Sequence, residues 1–380
     1  MAANKLLELK EAGQFIWLDS LSRDMLKNGE LERSIKEDGI GGALYSPTPF
    51  QKALEGSDIY DRSLDEMVRR GVHSERELLL NLVIDDAREA ASIFTAVYQD
   101  SGGKDGYSCF EVAPDLAYDA DEIVNEAERM YHECGRKNIA IKVPASEQGL
   151  EAFERLTREG INVCLTLIFS PGKYEAAAEA YMRGVAQRLG DGRSVDTVWS
   201  EATCHVSRLD TLADKVLDEK LPVAGTDVEE ARVRSLYGKA GFSVARLVYR
   251  SYQEIFGGEK FKGLAQKGAN PLRILWGSTL TRNQRYSEIK YMEEVIAPGT
   301  IIAAQAETLK RFREQGKIKM AFDELQEARS VIEKLSAVGI TTDALVQQLE
   351  KEGIKNYSDA YFDLLEAVAI KRDKMIEKAA

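Results

Sequence analysis

Eight short apolar, β-prone runs alternate along the chain with longer stretches of helical period. The runs are Phe15–Asp19, Ala43–Ser46, Ser108–Val112, Ile139–Val143, Asn162–Phe169, Val198–Cys204, Leu272–Ser278 and Thr300–Ala304. Near-continuous apolar strands imply a parallel sheet covered by helices on its faces. Between them apolar residues recur every three or four positions, as in Asp121–Cys134 and Tyr174–Leu189. Eight such units fit a closed barrel better than an open sheet, so the pattern predicts an α/β protein of the (β/α)8 barrel type. The spacing is uneven: residues 47–107 hold two or three helices before the third strand, and residues 207–270 at least two long ones before the seventh. Residues 318–380 carry no strand pattern. They read as three helices, Met320–Val338, Thr342–Glu352 and Asp359–Ile376. The expectation is one barrel domain over residues 1–380, with 318–380 a helical C-terminal extension packed on it.

Composition narrows the function more than the fold. The formal charge is −12, from 51 basic and 63 acidic side chains. Phosphate-backbone binding needs a basic excess, so nucleic acid is not an expected partner. No apolar run approaches the roughly 20 residues needed to span a bilayer, and Met1–Lys10 reads as a charged helix rather than a leader. The cysteines, Cys109, Cys134, Cys164 and Cys204, form no CxxC pair and are expected to be buried, reduced thiols of a cytoplasmic protein. His73 and His132 lie in charged helical contexts and are expected at the surface. No HExxH or Cys/His cluster appears, so no metal is expected. No glycine-rich nucleotide loop appears either, and no cofactor is expected.

In a barrel of this kind, functional side chains gather at the C-terminal ends of the strands. Those ends are unusually polar here. Lys142 sits within Ile-Ala-Ile-Lys-Val-Pro. Burial lowers a lysine's pKa, and a neutral amine is the nucleophile for imine formation; the plainer role is an ion pair with a neighbouring carboxylate. Asp19 ends the first strand and Glu111 lies in the third, so either can serve as acid or base, or merely neutralise Lys142. Thr166 shares a face of the fifth strand with Cys164, Ile168 and Ser170. Arg208 and Arg282 each follow a strand end with hydroxyls nearby, including Thr203 and Ser278. An arginine fork with hydroxyl donors is one way to hold a phosphate dianion in an acidic protein.

These residues resemble the transaldolase family in its longer bacterial form. The resemblance runs from about residue 4 to 315 and is carried by Gln14–Ser20, Glu55–Asp58, Ile141–Ala145, Gly160–Asn162 with Thr166–Ser170, Val206–Thr211 and Leu275–Thr279. It implies a (β/α)8 barrel of the class I aldolase type and a transferase that works without a cofactor. Lys142 then matches the Schiff-base lysine. Asp19 matches the carboxylate that handles the hydroxyl proton during carbon–carbon cleavage. Glu111 matches the carboxylate that moves protons through a water, and Thr166 the residue that positions that water. Arg208, Ser278 and Arg282 match the sugar-phosphate anchor.

The departures cluster around the substrate. Ser46 and Cys164 stand where the family usually has two asparagines that hold the donor's hydroxyls. Thr203 replaces a serine and His205 a phenylalanine. The imidazole of His205 is expected either to bond the shuttle water or titrate near neutral pH, or to pack in a helix–barrel interface. Three readings follow. One is transfer of dihydroxyacetone from sedoheptulose 7-phosphate to glyceraldehyde 3-phosphate in carbohydrate metabolism (the pentose phosphate pathway). The second is a transaldolase-like enzyme of specialised metabolism with a changed donor or acceptor, or net aldolase activity. The third is a non-catalytic barrel scaffold. The expected partners are small sugar phosphates; the sequence leaves both monomer and homodimer open.

Overall fold

In the computed structural model, which describes residues 4–320 and 322–379, the eight runs become eight parallel strands. They are β1 (Phe15–Leu21), β2 (Gly42–Tyr45), β3 (Tyr107–Glu111), β4 (Ile139–Pro144), β5 (Asn162–Ile168), β6 (Glu201–His205), β7 (Arg273–Gly277) and β8 (Ile301–Ala304). The strands pair in chain order, and β1 pairs with both β2 and β8, which closes the barrel. Helices fill every connection, the two longest connections included. Among the described residues no helix is long and apolar enough to cross a membrane.

The strand boundaries differ most at β6. Val198–Ser200 were expected to open this strand, but they precede it. Side chains take over the pairing there: Val163 donates its backbone N–H to Ser200 Oγ at 3.1 Å, and Trp199 donates to Asn162 Oδ1 at 2.9 Å. Local side-chain partners of this kind compete with the ladder. The strand itself runs from Glu201 to His205.

Side chains alternate in and out along each strand. Trp17, Cys109, Ala140, Cys164, Leu275 and Ala303 pack together inside the barrel. Gly42 makes room for this layer, since a Cβ there would lie 2.5 Å from the indole of Trp17. Toward the N-terminal ends of the strands Glu201 bonds Arg273 at 2.7 Å, and Asp105 accepts from the Trp17 indole at 2.9 Å. The same alternation carries Asp19, Glu111, Lys142, Thr166 and His205 to the opposite mouth. All four cysteines are buried and unpaired, and His73 and His132 are exposed.

Lys5–Glu11 is helical; Met1–Ala3 lie outside the described residues. The tail corrects the sequence reading. Its first helix is shorter, Leu325–Ala337 (the expected one spans Ala321, which lies outside the described residues). The second and third are one continuous helix, Thr342–Ala379. Gly353, which follows the expected end at Glu352, stays inside that helix. Its missing side chain lets the helix settle on the barrel, because a Cβ there would meet Leu167 Cδ2 at 2.7 Å. The helix crosses the C-terminal face of the barrel, touching Val206–Lys220, β5, the turn Pro114–Leu116 and the helices Pro47–Gly56, Asp61–Arg69 and Glu75–Ile93. Lys173 meets Glu350 at 3.2 Å at one end. At the other, Lys371 bonds Asp61 and the Ser57 carbonyl, and Arg372 bonds Glu75 and the His73 carbonyl.

Candidate active site

Lys142 lies in register with Glu111 of β3 and Cys164 of β5. Its Nζ is 3.4 Å from Glu111 Oε2, and the two side chains are only 6% and 8% exposed. Burial by itself pushes Lys142 down, but the charge of Glu111, then the interaction with Tyr357, more than offset it and hold the lysine above its ordinary value. The lowering that burial alone would give is therefore offset in the resting site. Burial pushes Glu111 above its ordinary value, against the pull of Lys142. Asp19 is raised for the same reason, against Lys142, a bond from Ser46 and Arg208. One carboxyl group thus touches the nitrogen and a second lies in its electrostatic reach, both with raised proton affinity, which suits proton acceptors.

The backbone is irregular at this mouth. Ser20, Leu167 and Ser278, none of them glycine, have φ of 82°, 65° and 52°. Each follows or contacts a candidate residue, and the registers of β1 and β5 shift at the first two. Such conformations cost about 1–3 kcal/mol each and collect where a side chain must be aimed.

Ser46 caps the start of the helix Pro47–Gly56 without bonding its backbone; its Oγ donates to Asp19 Oδ1 at 3.3 Å. Thr166 Oγ1 is 3.0 Å from His205 Nε2, and Ser278 Oγ is 2.8 Å from His205 Nδ1. His205 therefore bridges β5 and the segment just after β7, with the Phe169 ring 5.5 Å away. This overturns the interface-packing alternative. It also overturns titration near neutrality, since burial, then Arg208 and Lys142, lower the imidazole well below its usual range. Nε2 is thus engaged with the Thr166 hydroxyl and Nδ1 with the Ser278 hydroxyl.

Cys164 and Thr203 sit deeper and pair at 3.3 Å between Sγ and Oγ1. Arg208, in the first turn of Val206–Lys220, is half-buried and makes no hydrogen bond or ion pair among the described residues. Its charge reaches Asp19, Glu111 and His205. Arg282 is exposed and likewise unbonded among the described residues; neighbouring Asn283 and Tyr286 pin its loop to Asp214 at 3.3 and 2.6 Å. The mouth thus gathers Asp19, Ser46, Glu111, Lys142, Thr166, His205 and Ser278, with the charge of Arg208 in reach of them. Cys164 and Thr203 lie below, and Arg282 points outward.

Sequence reasoning missed Tyr357, whose Oη is 3.1 Å from Lys142 Nζ. The signal was the four-residue period Leu345, Leu349, Gly353, Tyr357, Tyr361, which runs unbroken through the glycine.

Residues 16–368 match the model of a family described as transaldolase/fructose-6-phosphate aldolase. A transaldolase of Trichodesmium erythraeum is 34% identical over 378 residues, 99% of each chain. Transaldolase 2 of a Nostoc species is 36% identical over 372 residues, 97% of each chain. The transaldolase of Frankia alni is 36% identical over 369 residues, again 97% of each.

Proposed function

The chain belongs to the transaldolase/fructose-6-phosphate aldolase family, and we propose that it moves a dihydroxyacetone unit between sugar phosphates through a Schiff base on Lys142. It is a transferase of the transaldolase type. The observation that carries the Schiff-base reading is a nearly sealed lysine beside a carboxyl group, with a second carboxyl group in electrostatic reach. As the ketose enters, Glu111 takes a proton from the Lys142 ammonium and the amine adds to the carbonyl. Loss of water gives the iminium. Asp19 then accepts the proton of the substrate hydroxyl as the carbon–carbon bond breaks, the aldehyde leaves and an enamine remains on nitrogen. Burial of Lys142 and Glu111 keeps bulk water from that enamine until an acceptor aldehyde adds. The guanidinium of Arg208, without a hydrogen bond or ion pair among the described residues, supports a phosphate anchor; Ser278 bonds His205, which lies in reach of the same charge.

His205 favours keeping net aldol cleavage as a second reading. It is a polar ring bonded to Thr166, at the position expected to govern water beside the imine. A coupled assay with sedoheptulose 7-phosphate, run with and without glyceraldehyde 3-phosphate, tests the proposal. Transfer should dominate, giving erythrose 4-phosphate and fructose 6-phosphate. Acceptor-free release of dihydroxyacetone at the transfer rate would favour the aldolase reading, and inactivity with either ketose phosphate would overturn both.

A further inference from the structure

The reacting nitrogen carries a contact from outside the barrel strands. Tyr357 lies 215 positions from Lys142 in the chain, yet its Oη is 3.1 Å from Nζ and its ring centroid 4.5 Å from the same atom. The helix that bears it is tied at both ends and rests on Leu167 at Gly353, one turn earlier. Four nearby hydroxyls are engaged elsewhere: Thr166 and Ser278 with His205, Ser46 with Asp19, and Thr203 below them with Cys164. The phenol of Tyr357 is thus the hydroxyl seated on Lys142.

We propose that Tyr357 is a catalytic residue, relaying protons between nitrogen and oxygen as the Lys142 imine forms and hydrolyses; the inference rests on Lys142 being the nucleophile. Once Glu111 has taken a proton from the ammonium, attack on the ketone leaves nitrogen positive and oxygen negative. The phenol hands its proton to that oxygen and takes one from nitrogen, so a neutral carbinolamine forms and the phenol is restored. The nitrogen lone pair then expels the hydroxyl, which departs as water with the proton held by Glu111. The iminium remains on Lys142 and Glu111 is a carboxylate again. The hydroxyl oxygen and Nζ share one carbon, so a group in contact with nitrogen also reaches that oxygen. Hydrolysis runs the same steps backward.

The test is Tyr357→Phe, which keeps the ring and its packing and removes the hydroxyl. Imine formation is followed with fructose 6-phosphate and cyanoborohydride by intact mass, against time and against the concentration of a small buffer acid. A positioned acid–base group commonly contributes about a hundredfold or more. The variant should therefore trap and turn over at least about tenfold more slowly, with KM changed by less than about threefold. Its trapping should quicken as buffer acid is added, while that of the wild type does not. Rates within about twofold of wild type would remove the role, as would a slowed variant with a raised KM and no response to buffer. A wild type that cannot be trapped at all removes Lys142 and Tyr357 together, whereas a trapped wild type matched by Tyr357→Phe removes Tyr357 alone.

Discussion

Lys142 was legible as a candidate because a lysine inside an apolar strand needs a reason to be there. Its charge state was not legible. The Ile-Lys-Val-Pro context reports burial, but the opposing Glu111 and Tyr357 come from 31 and 215 positions away. His205 shows the same limit. It lies near the mouth of β6 as its place in the chain implied, but its partners Thr166 and Ser278 are 39 and 73 positions away and could not be read from it. The arginines divide similarly: a βα-loop position predicted both as anchors, and only Arg208 faces the charged centre. Removing a charge-assisted contact to phosphate costs about 1.5–3 kcal/mol, or about ten- to a hundredfold in binding. Arg208→Ala should raise KM for phosphorylated sugars by that factor and leave unphosphorylated analogues unaffected, whereas Arg282→Ala should have the smaller effect. Steady-state kinetics on paired substrates checks this; equal losses on both kinds of substrate would remove Arg208 from the phosphate.

At the scale of elements, period and strand count were sufficient for the barrel because each strand is a separate apolar run. The tail was read as two helices where there is one; Gly353, just past the expected end at Glu352, lowers helix propensity by about 1 kcal/mol relative to alanine. The helix is continuous there nonetheless, with Leu167 packed against Gly353. Gly353→Val should push the helix off the β5 end, at an overpacking cost of about 1–3 kcal/mol. The barrel should keep its fold while Tyr357 loses Lys142. The expected outcome is faster amide exchange across 342–379 and a fall of about tenfold or more in kcat. Unchanged exchange with full activity would show that the helix does not depend on this close approach.

For the molecule as a whole, the two ends of the barrel divide labour: a buried Glu201–Arg273 pair lies toward one end and the lysine sits at the other. Burial, against the pull of Arg273, pushes Glu201 up to about 7. The folded state therefore holds this proton more tightly than the unfolded chain does. That contribution to stability is fully present below the ordinary glutamate pKa of about 4.3. It is lost as pH rises toward about 7, and amounts to a few kcal/mol in order of magnitude. Asp86, raised to about 6 by burial, adds in the same direction. Melting temperature should fall between about pH 5 and 7.5, and Glu201→Gln should flatten that slope while lowering stability overall. An unchanged slope in the variant would place the titrating group elsewhere. None of this pairing was foreseen, because Glu201 and Arg273 meet across adjacent strands 72 positions apart.

The central claim is that Lys142 carries the substrate, and intact mass after borohydride reduction addresses it most directly. Wild-type protein incubated with fructose 6-phosphate should gain the mass of one reduced adduct, mapped to the peptide bearing Lys142, and Lys142→Ala should gain none while keeping its fold. An adduct of the same mass on folded Lys142→Ala, or on a different lysine of the wild type, would contradict the account.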